Sequence, residues 1–188
     1  MLVGILALQG DVREHEASLE RLGATPRRVL RSEDLEDVRA LILPGGESTT
    51  MSMLLDSSGL RGPLASWVAA ERPTLGTCAG LVLLAREVVD GRADQRGLGG
   101  LGITIRRNGW GRQRHSFEAK VEAPSLGGPF EGIFIRAPRI LEVDDTTEVL
   151  GTLEGEAVLV ERGALMGCAF HPELASDDRL HARLLSHL

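Results

Sequence analysis

Apolar residues fall in short runs separated by polar or Gly/Pro breaks, and that spacing sets the expected elements. Residues 2–8, Leu-Val-Gly-Ile-Leu-Ala-Leu, form an apolar run of strand length. A helix is expected over residues 12–22, with Asp11 as a candidate N-cap and Gly23 just past the end. Further strands are expected over residues 26–30 and 40–43, the second stopped by Pro44-Gly45-Gly46. Helices are predicted over residues 49–55 and 63–70. The extended stretch Pro73-Thr74-Leu75 then runs into Gly76-Thr77-Cys78-Ala79-Gly80 and a helical segment over residues 81–86.

The second half changes character. Strands are predicted at residues 103–106, 117–121, 132–135, 148–153, 157–161 and 164–170, joined by Gly- and Pro-bearing turns, before a closing helix over 179–188. The alternation of strand and helix in the first half predicts an α/β fold of three layers. It is a mostly parallel, open, flavodoxin-like sheet with helices on both faces, and an antiparallel β extension follows. No repeat, low-complexity tract or linker interrupts the chain, so residues 1–188 are expected to form a single domain. Sites in open α/β sheets lie beyond the carboxyl ends of the strands. The loop at residues 44–47, the Cys78 turn and the His171 segment all fall at such ends.

Composition narrows the function classes. At 188 residues, 43% of them apolar, the chain can bury a substantial core and is not expected to be disordered. The 27 acidic against 21 basic residues give a net charge of −6, which argues against a nucleic-acid or membrane surface. Two cysteines make no disulfide framework and suit a reducing cytoplasm. The run at residues 2–8 is too short for a bilayer span and lacks a basic flank, so it reads as a buried strand rather than a signal peptide.

The candidate chemistry centres on Cys78. A cysteine at a strand-to-helix turn faces helix-terminal N–H groups that favour a thiolate, and the glycines on either side suit a sharp turn. Far downstream, Phe170-His171-Pro172-Glu173 offers a base and a carboxylate two residues apart. Nucleophile, base and orienting acid are all available, which points to acyl transfer. Each element alone is weak. Cys168, inside an apolar strand, is read as buried and inert, and His115, His181 and His187 as ordinary surface histidines beside acids. A metal site built from Cys78, Cys168 and His171 lacks the close-spaced ligand pairs usual for zinc.

Taken together, Leu43-Pro44-Gly45-Gly46-Glu47-Ser48, Gly76-Thr77-Cys78-Ala79-Gly80 and Phe170-His171-Pro172-Glu173 resemble the class I, triad-type glutamine amidotransferases. Four segments narrow the likeness: residues 8–15, Arg107-Asn108-Gly109-Trp110-Gly111-Arg112-Gln113, Ser116-Phe117-Glu118 and Phe134-Ile135-Arg136-Ala137-Pro138. With them the chain resembles the glutaminase subunits of pyridoxal 5′-phosphate synthase, almost end to end. One departure is Gly109-Trp110, where the family pattern has a small residue followed by Phe or Tyr, a matter of packing at the rim of the site.

The resemblance implies roles. Cys78, His171 and Glu173 would form the triad, the N–H groups of Gly46 and Ala79 the oxyanion hole, and Gly46, Glu47, Ser48, Arg107, Ile135 and Arg136 the glutamine site. It implies L-glutamine as substrate, no cofactor and no metal. The implied partner is a synthase subunit with a (β/α)8 barrel, in a ring of twelve with twelve glutaminases docked. The loop at Gln9 and Gly10 and residues 11–15 are expected to supply part of the docking surface, and the Gly46 turn to switch with the partner. The alternatives are a glutaminase of another amidotransferase complex, a triad cysteine hydrolase on the same fold, and a catalytically silent binding module.

Overall fold

The computed structural model describes residues 1–92, 95–110 and 116–188. The first half alternates as expected: β1 (Leu2–Leu6), α1 (Val12–Arg21), β2 (Thr25–Val29), β3 (Ala40–Leu43), α2 (Ser48–Ser57), α3 (Arg61–Ala69), β4 (Thr74–Thr77) and α4 (Ala79–Leu84). The strands β5 (Ala85–Val88), β6 (Leu101–Arg106), β7 (Ser116–Val121), β8 (Phe130–Ile135) and β9 (Arg139–Val143) follow. The chain closes with β10 (Glu148–Leu153), β11 (Glu156–Arg162), β12 (Leu165–Cys168) and α5 (Arg179–Ser186).

A seven-stranded sheet in the order β10-β11-β12-β4-β3-β1-β2 organises the molecule. From β12 to β2 every neighbour is parallel, whereas β10 and β11 add an antiparallel edge. The central strands are apolar because both faces are covered: all four residues of β3 are buried. Thr77 meets His15 of α1 on one face, while a Cβ added at its neighbour Gly76 would meet Gly80 of α4 on the other. So α1, joined to α5 through His15 and His181, covers one side, and α4, with α2 packed on it and α3 reaching Thr74 through Trp67, covers the other.

The chain leaves β1 for β2 on one side, and β3 and β4 then lie on the other, so the strand order reverses between β1 and β3 while the strands stay parallel. Loops diverge at that point and leave a crevice. A three-stranded sheet β5-β6-β9 and the hairpin β7-β8 pack beside it. Phe134 of β8 stacks on Phe117 with ring centroids 4.7 Å apart and tilts against Phe170 at 5.5 Å. Trp110 closes this cluster edge-on to both Phe117 and Phe134, which explains how the unexpected tryptophan is accommodated at the rim. Phe134 and Phe170 are both fully buried, worth roughly 2–3 kcal/mol each in apolar transfer.

Two expectations change here. The helix after Cys78 ends at Leu84, six residues long, and Ala85 and Arg86 already belong to β5, which pairs with β6. Arg139–Val143, unassigned from the sequence, forms β9 against the other side of β6. In both cases a strand partner far along the chain overrides a weak local pattern. Described strand and helix ends elsewhere differ from expectation by only a few residues.

Candidate active site

Cys78 sits at the end of β4, where its N–H still donates to the Cys168 carbonyl at 2.9 Å. Its φ of 48° and ψ of −99° are costly for a residue with a Cβ. The sequence suggested that the flanking glycines take this turn. Instead, neither Gly76 nor Gly80 is left-handed, and the strain falls on Cys78 itself. The glycines serve close approach: a Cβ on Gly80 would lie 1.9 Å from the Leu43 carbonyl oxygen. That contact lets α4 press on β3 and aims the sulfur at the crevice.

His171 is held from both directions. Its N–H donates to the Ile133 carbonyl at 2.8 Å, which ties it to the β7-β8 hairpin. Its Nδ1 lies 2.7 Å from Glu173 Oε1, and the Glu173 side chain is fully buried behind it. Asp11 Oδ2 stands 3.3 Å from the same nitrogen. Asp11 was expected to cap α1, but it makes no cap hydrogen bond and turns toward His171. Burial disfavours an imidazolium, yet hydrogen bonds to Asp11, Cys78 and Glu173 outweigh it and push the His171 pKa up to about 12. Burial acts on Glu173 in the other direction and raises its carboxyl above the usual range. Asp11, His171 and Glu173 donor atoms cluster within 4.8 Å, but the nitrogen a metal would take already serves both carboxylates.

A cleft of about 330 Å³ opens over Cys78, Ala79 and His171, a size suited to an amino acid. Gly46, Glu47 and Ser48 line one wall, and Arg107, Ile135 and Arg136 the other. Glu173 is the one expected site residue that does not line the cleft; it lies behind His171. Gly46 has φ 154°, open mainly to glycine, and a Cβ there would crowd Gln9 Oε1 at 2.6 Å. The Ile135 carbonyl lies 3.8 Å from Cys78 Sγ. Arg107 donates from Nη1 to Thr49 Oγ1 at 2.7 Å and Gln95 Oε1 at 2.8 Å. The Glu47 carboxylate is committed to the start of α2, where it accepts from Thr49 N and Thr50 N at 3.0 and 2.7 Å. Strain gathers at this cleft: Asn108 and Arg136, both lining it, have φ of 46° and 44°.

Residues 5–187 match the SNO glutamine amidotransferase family. The chain belongs to that family. It is 49% identical to the pyridoxal 5′-phosphate synthase subunit PdxT of Corynebacterium jeikeium, over 98% of this chain and 95% of that protein. The corresponding subunit of Salinispora arenicola is 50% identical over 96% of this chain and 93% of its own length. A crystal structure of a glutamine amidotransferase superposes with a TM-score of 0.92 at 44% identity, covering 98% of this chain and 97% of that one. The PurLQS structure from Thermotoga maritima, at 15% identity and a TM-score of 0.72 over 99% of this chain and 97% of that one, shares the fold.

Several residues at this family site were invisible as site residues in the sequence. Gln9 Oε1 accepts the Glu47 N–H at 2.8 Å, and Asn108 and Pro138 line the cleft. Gln95 bridges Arg107 and Ser48 Oγ. Two histidines depart from expectation. His181, expected on the surface, is fully buried, and His15, expected on a docking face, is fully buried against it. Their signal was available in the apolar spacing of α1 and α5, which puts both on the inner helix face. His187 does pair with an acid, Glu161 Oε1 at 2.7 Å, and Cys168 is buried. His115 and the 111–113 part of the Arg107 motif lie outside the described residues.

Proposed function

We propose that this chain hydrolyses L-glutamine to L-glutamate and ammonia, as the glutaminase subunit of a pyridoxal 5′-phosphate synthase. The observation that carries the chemistry is Cys78 and His171 at one cleft with Glu173 buried behind the imidazole. The Cys78–His171 pair holds one proton, kept on His171 by its raised pKa, and the Cys78 sulfur attacks the side-chain amide carbon of glutamine. His171 returns that proton to the nitrogen as the C–N bond breaks, which releases ammonia and leaves a glutamyl thioester. Water then adds to the thioester, giving its proton to His171, and glutamate departs as the sulfur recovers it. The raised pKa of His171 supports its holding a proton through these steps. Glu173 orients the imidazole, and the N–H groups of Ala79 and Gly46 face the developing oxyanion. Arg107, with Ser48, Ile135 and Arg136, holds the amino-acid part of glutamine; Glu47 contributes through its loop, its carboxylate being occupied at α2.

The whole chain acts as one glutaminase domain in the cytoplasm and delivers ammonia to a (β/α)8-barrel synthase, twelve of each subunit per assembly. The relatives named PdxT support the partnership. No helix of the described residues is long and apolar enough to cross a membrane. Arg13 and Glu14, on the outer side of α1, belong to the docking face. The synthase favours the productive conformer of the Gly46 turn, so glutamine turnover is slow alone and fast in the complex. The test is glutamate release by the purified chain with and without its synthase, beside Cys78→Ala. The variant should fold and dock but lose turnover by about four to six orders of magnitude. Substantial hydrolysis by folded Cys78→Ala would sink the covalent mechanism. Equal rates with and without a competent synthase would remove the switching element.

A further inference from the structure

Behind the triad lies a second pair of titratable side chains that the mechanism above does not use. Glu173 gives Oε1 to His171, but its other oxygen, Oε2, is buried and has no hydrogen-bond partner among the described residues. His15 Nε2 faces it at 3.6 Å. His15 is itself fully buried; its Nδ1 lies 2.9 Å from His181 Nε2, and its Nε2 3.4 Å from Thr77 Oγ1. His181 Nδ1, also buried, has no partner among the described residues.

The proton positions follow from counting donors. Burial lowers the pKa of both histidines, that of His181 to about 4, so each is neutral at pH 7 and carries one N–H. The 2.9 Å contact between them needs one proton. If His15 Nδ1 supplied it, a bare Nε2 lone pair would face the Glu173 carboxylate, leaving Oε2 and the His181 Nδ1–H both unsatisfied. If His181 Nε2 supplies it, His15 carries its proton on Nε2, between Thr77 Oγ1 at 3.4 Å and Oε2 at 3.6 Å, and His181 Nδ1 is left as an acceptor rather than a donor. The second arrangement replaces a lone-pair repulsion by a favourable dipole and leaves no buried N–H unpaired on His181, so it is favoured.

We propose that His15 is a positioning residue for glutamine hydrolysis, its Nε2–H dipole facing the second oxygen of Glu173 across 3.6 Å while His181 sets its tautomer. This rests on the reading of Cys78, His171 and Glu173 as the triad. The line His181–His15–Glu173–His171 runs from α5 through α1 to the cleft. Glu173 held at Oε1 by His171 and faced at Oε2 by an N–H dipole keeps the imidazole aligned on the sulfur; without that dipole it can rotate. The effect belongs in kcat rather than KM, because no atom of His15 lines the cleft.

Two experiments test this. In the wild-type chain, nitrogen-15 NMR of the imidazoles should show His15 and His181 both in the Nε2–H form; an Nδ1–H His15 would overturn the proposal whatever the variants do. In the complex with synthase, His15→Met fills the space without a donor, whereas His15→Gln can return an N–H near the Nε2 position. His15→Met should lower kcat by about 3- to 10-fold, the loss of one N–H dipole facing a buried carboxylate, with KM little changed. His15→Gln should recover most of that loss. Equal activity of the two variants, or losses that track melting temperature alone, would reduce His15 to packing and overturn the proposal. Cys78→Ala assayed in parallel separates the two readings, since its retained activity would remove the triad itself.

Discussion

At the residue scale the molecule concentrates cost where chemistry is proposed. Cys78, Asn108 and Arg136 combine a side chain with a left-handed backbone, and all three line one cleft. The surrounding packing over-determines these conformations: Gly80 lies against Leu43, and His171 is tied to Ile133. His171 carries the clearest electrostatic signature, its imidazolium favoured by three hydrogen-bond partners despite burial. His171→Asn keeps a polar group of similar size but cannot shuttle a proton. Steady-state glutamate release should fall by about 10²- to 10⁴-fold, with slow acylation visible by mass spectrometry as a glutamyl adduct on Cys78. Turnover like that of the wild type would mean that another residue is the base.

At the element scale, helix starts and strand ends carry the site. The Glu47 carboxylate accepts from two amides of α2 and from the Thr50 hydroxyl at 2.7 Å. Partial burial opposes its charge, but the hydrogen bonds from Thr50 and Thr49 prevail and hold its pKa at about 2. A carboxyl depressed in the folded state stabilises above its unfolded pKa of 4.5, and that contribution is lost as pH falls toward 2. Its side chain is 43% exposed, so solvent screens the charge and the cap is worth about 1 kcal/mol. Glu47→Gln should therefore melt lower than the wild type at pH 7, with the gap closing as pH drops below 4.5. A gap of the same size at pH 7 and near pH 2 would show that shape rather than charge caps the helix.

At the scale of the whole molecule, α1 and α5 come from opposite ends of the chain and meet through His15 and His181, 166 residues apart in sequence. Arg21 and Asp178 reinforce the same junction at 2.7 Å. The histidine pair makes the junction sensitive to acid. Burial lowers the His181 pKa to about 4 from 6.5, so the unfolded chain takes up a proton first as pH falls between those values. Stability from a neutral buried histidine is present above 6.5 and lost progressively toward 4. Unfolding free energy from urea titrations should drop by about 2 kcal/mol from this group alone between pH 7 and pH 5. His181→Leu should flatten that slope. An unchanged slope in the variant would mean that His181 is protonated in the folded state.

The sequence by itself determined the local order of elements and the chemical inventory. Apolar runs of strand length mark β1 and β3, and the Gly-Thr-Cys-Ala-Gly turn and His-Pro-Glu place the three reactive side chains at strand ends, because burial on both sheet faces and turn chemistry act over a few residues. Tertiary structure alone decided the rest. Whether Ala85–Val88 and Arg139–Val143 become strands depends on β6, a partner that local periodicity does not report. Whether Asp11 caps a helix or faces an imidazole depends on the return of the chain 160 residues later. The buried histidines carry the same lesson: a polar residue on an inner helix face reads as a fault until a second helix supplies its hydrogen-bond partner.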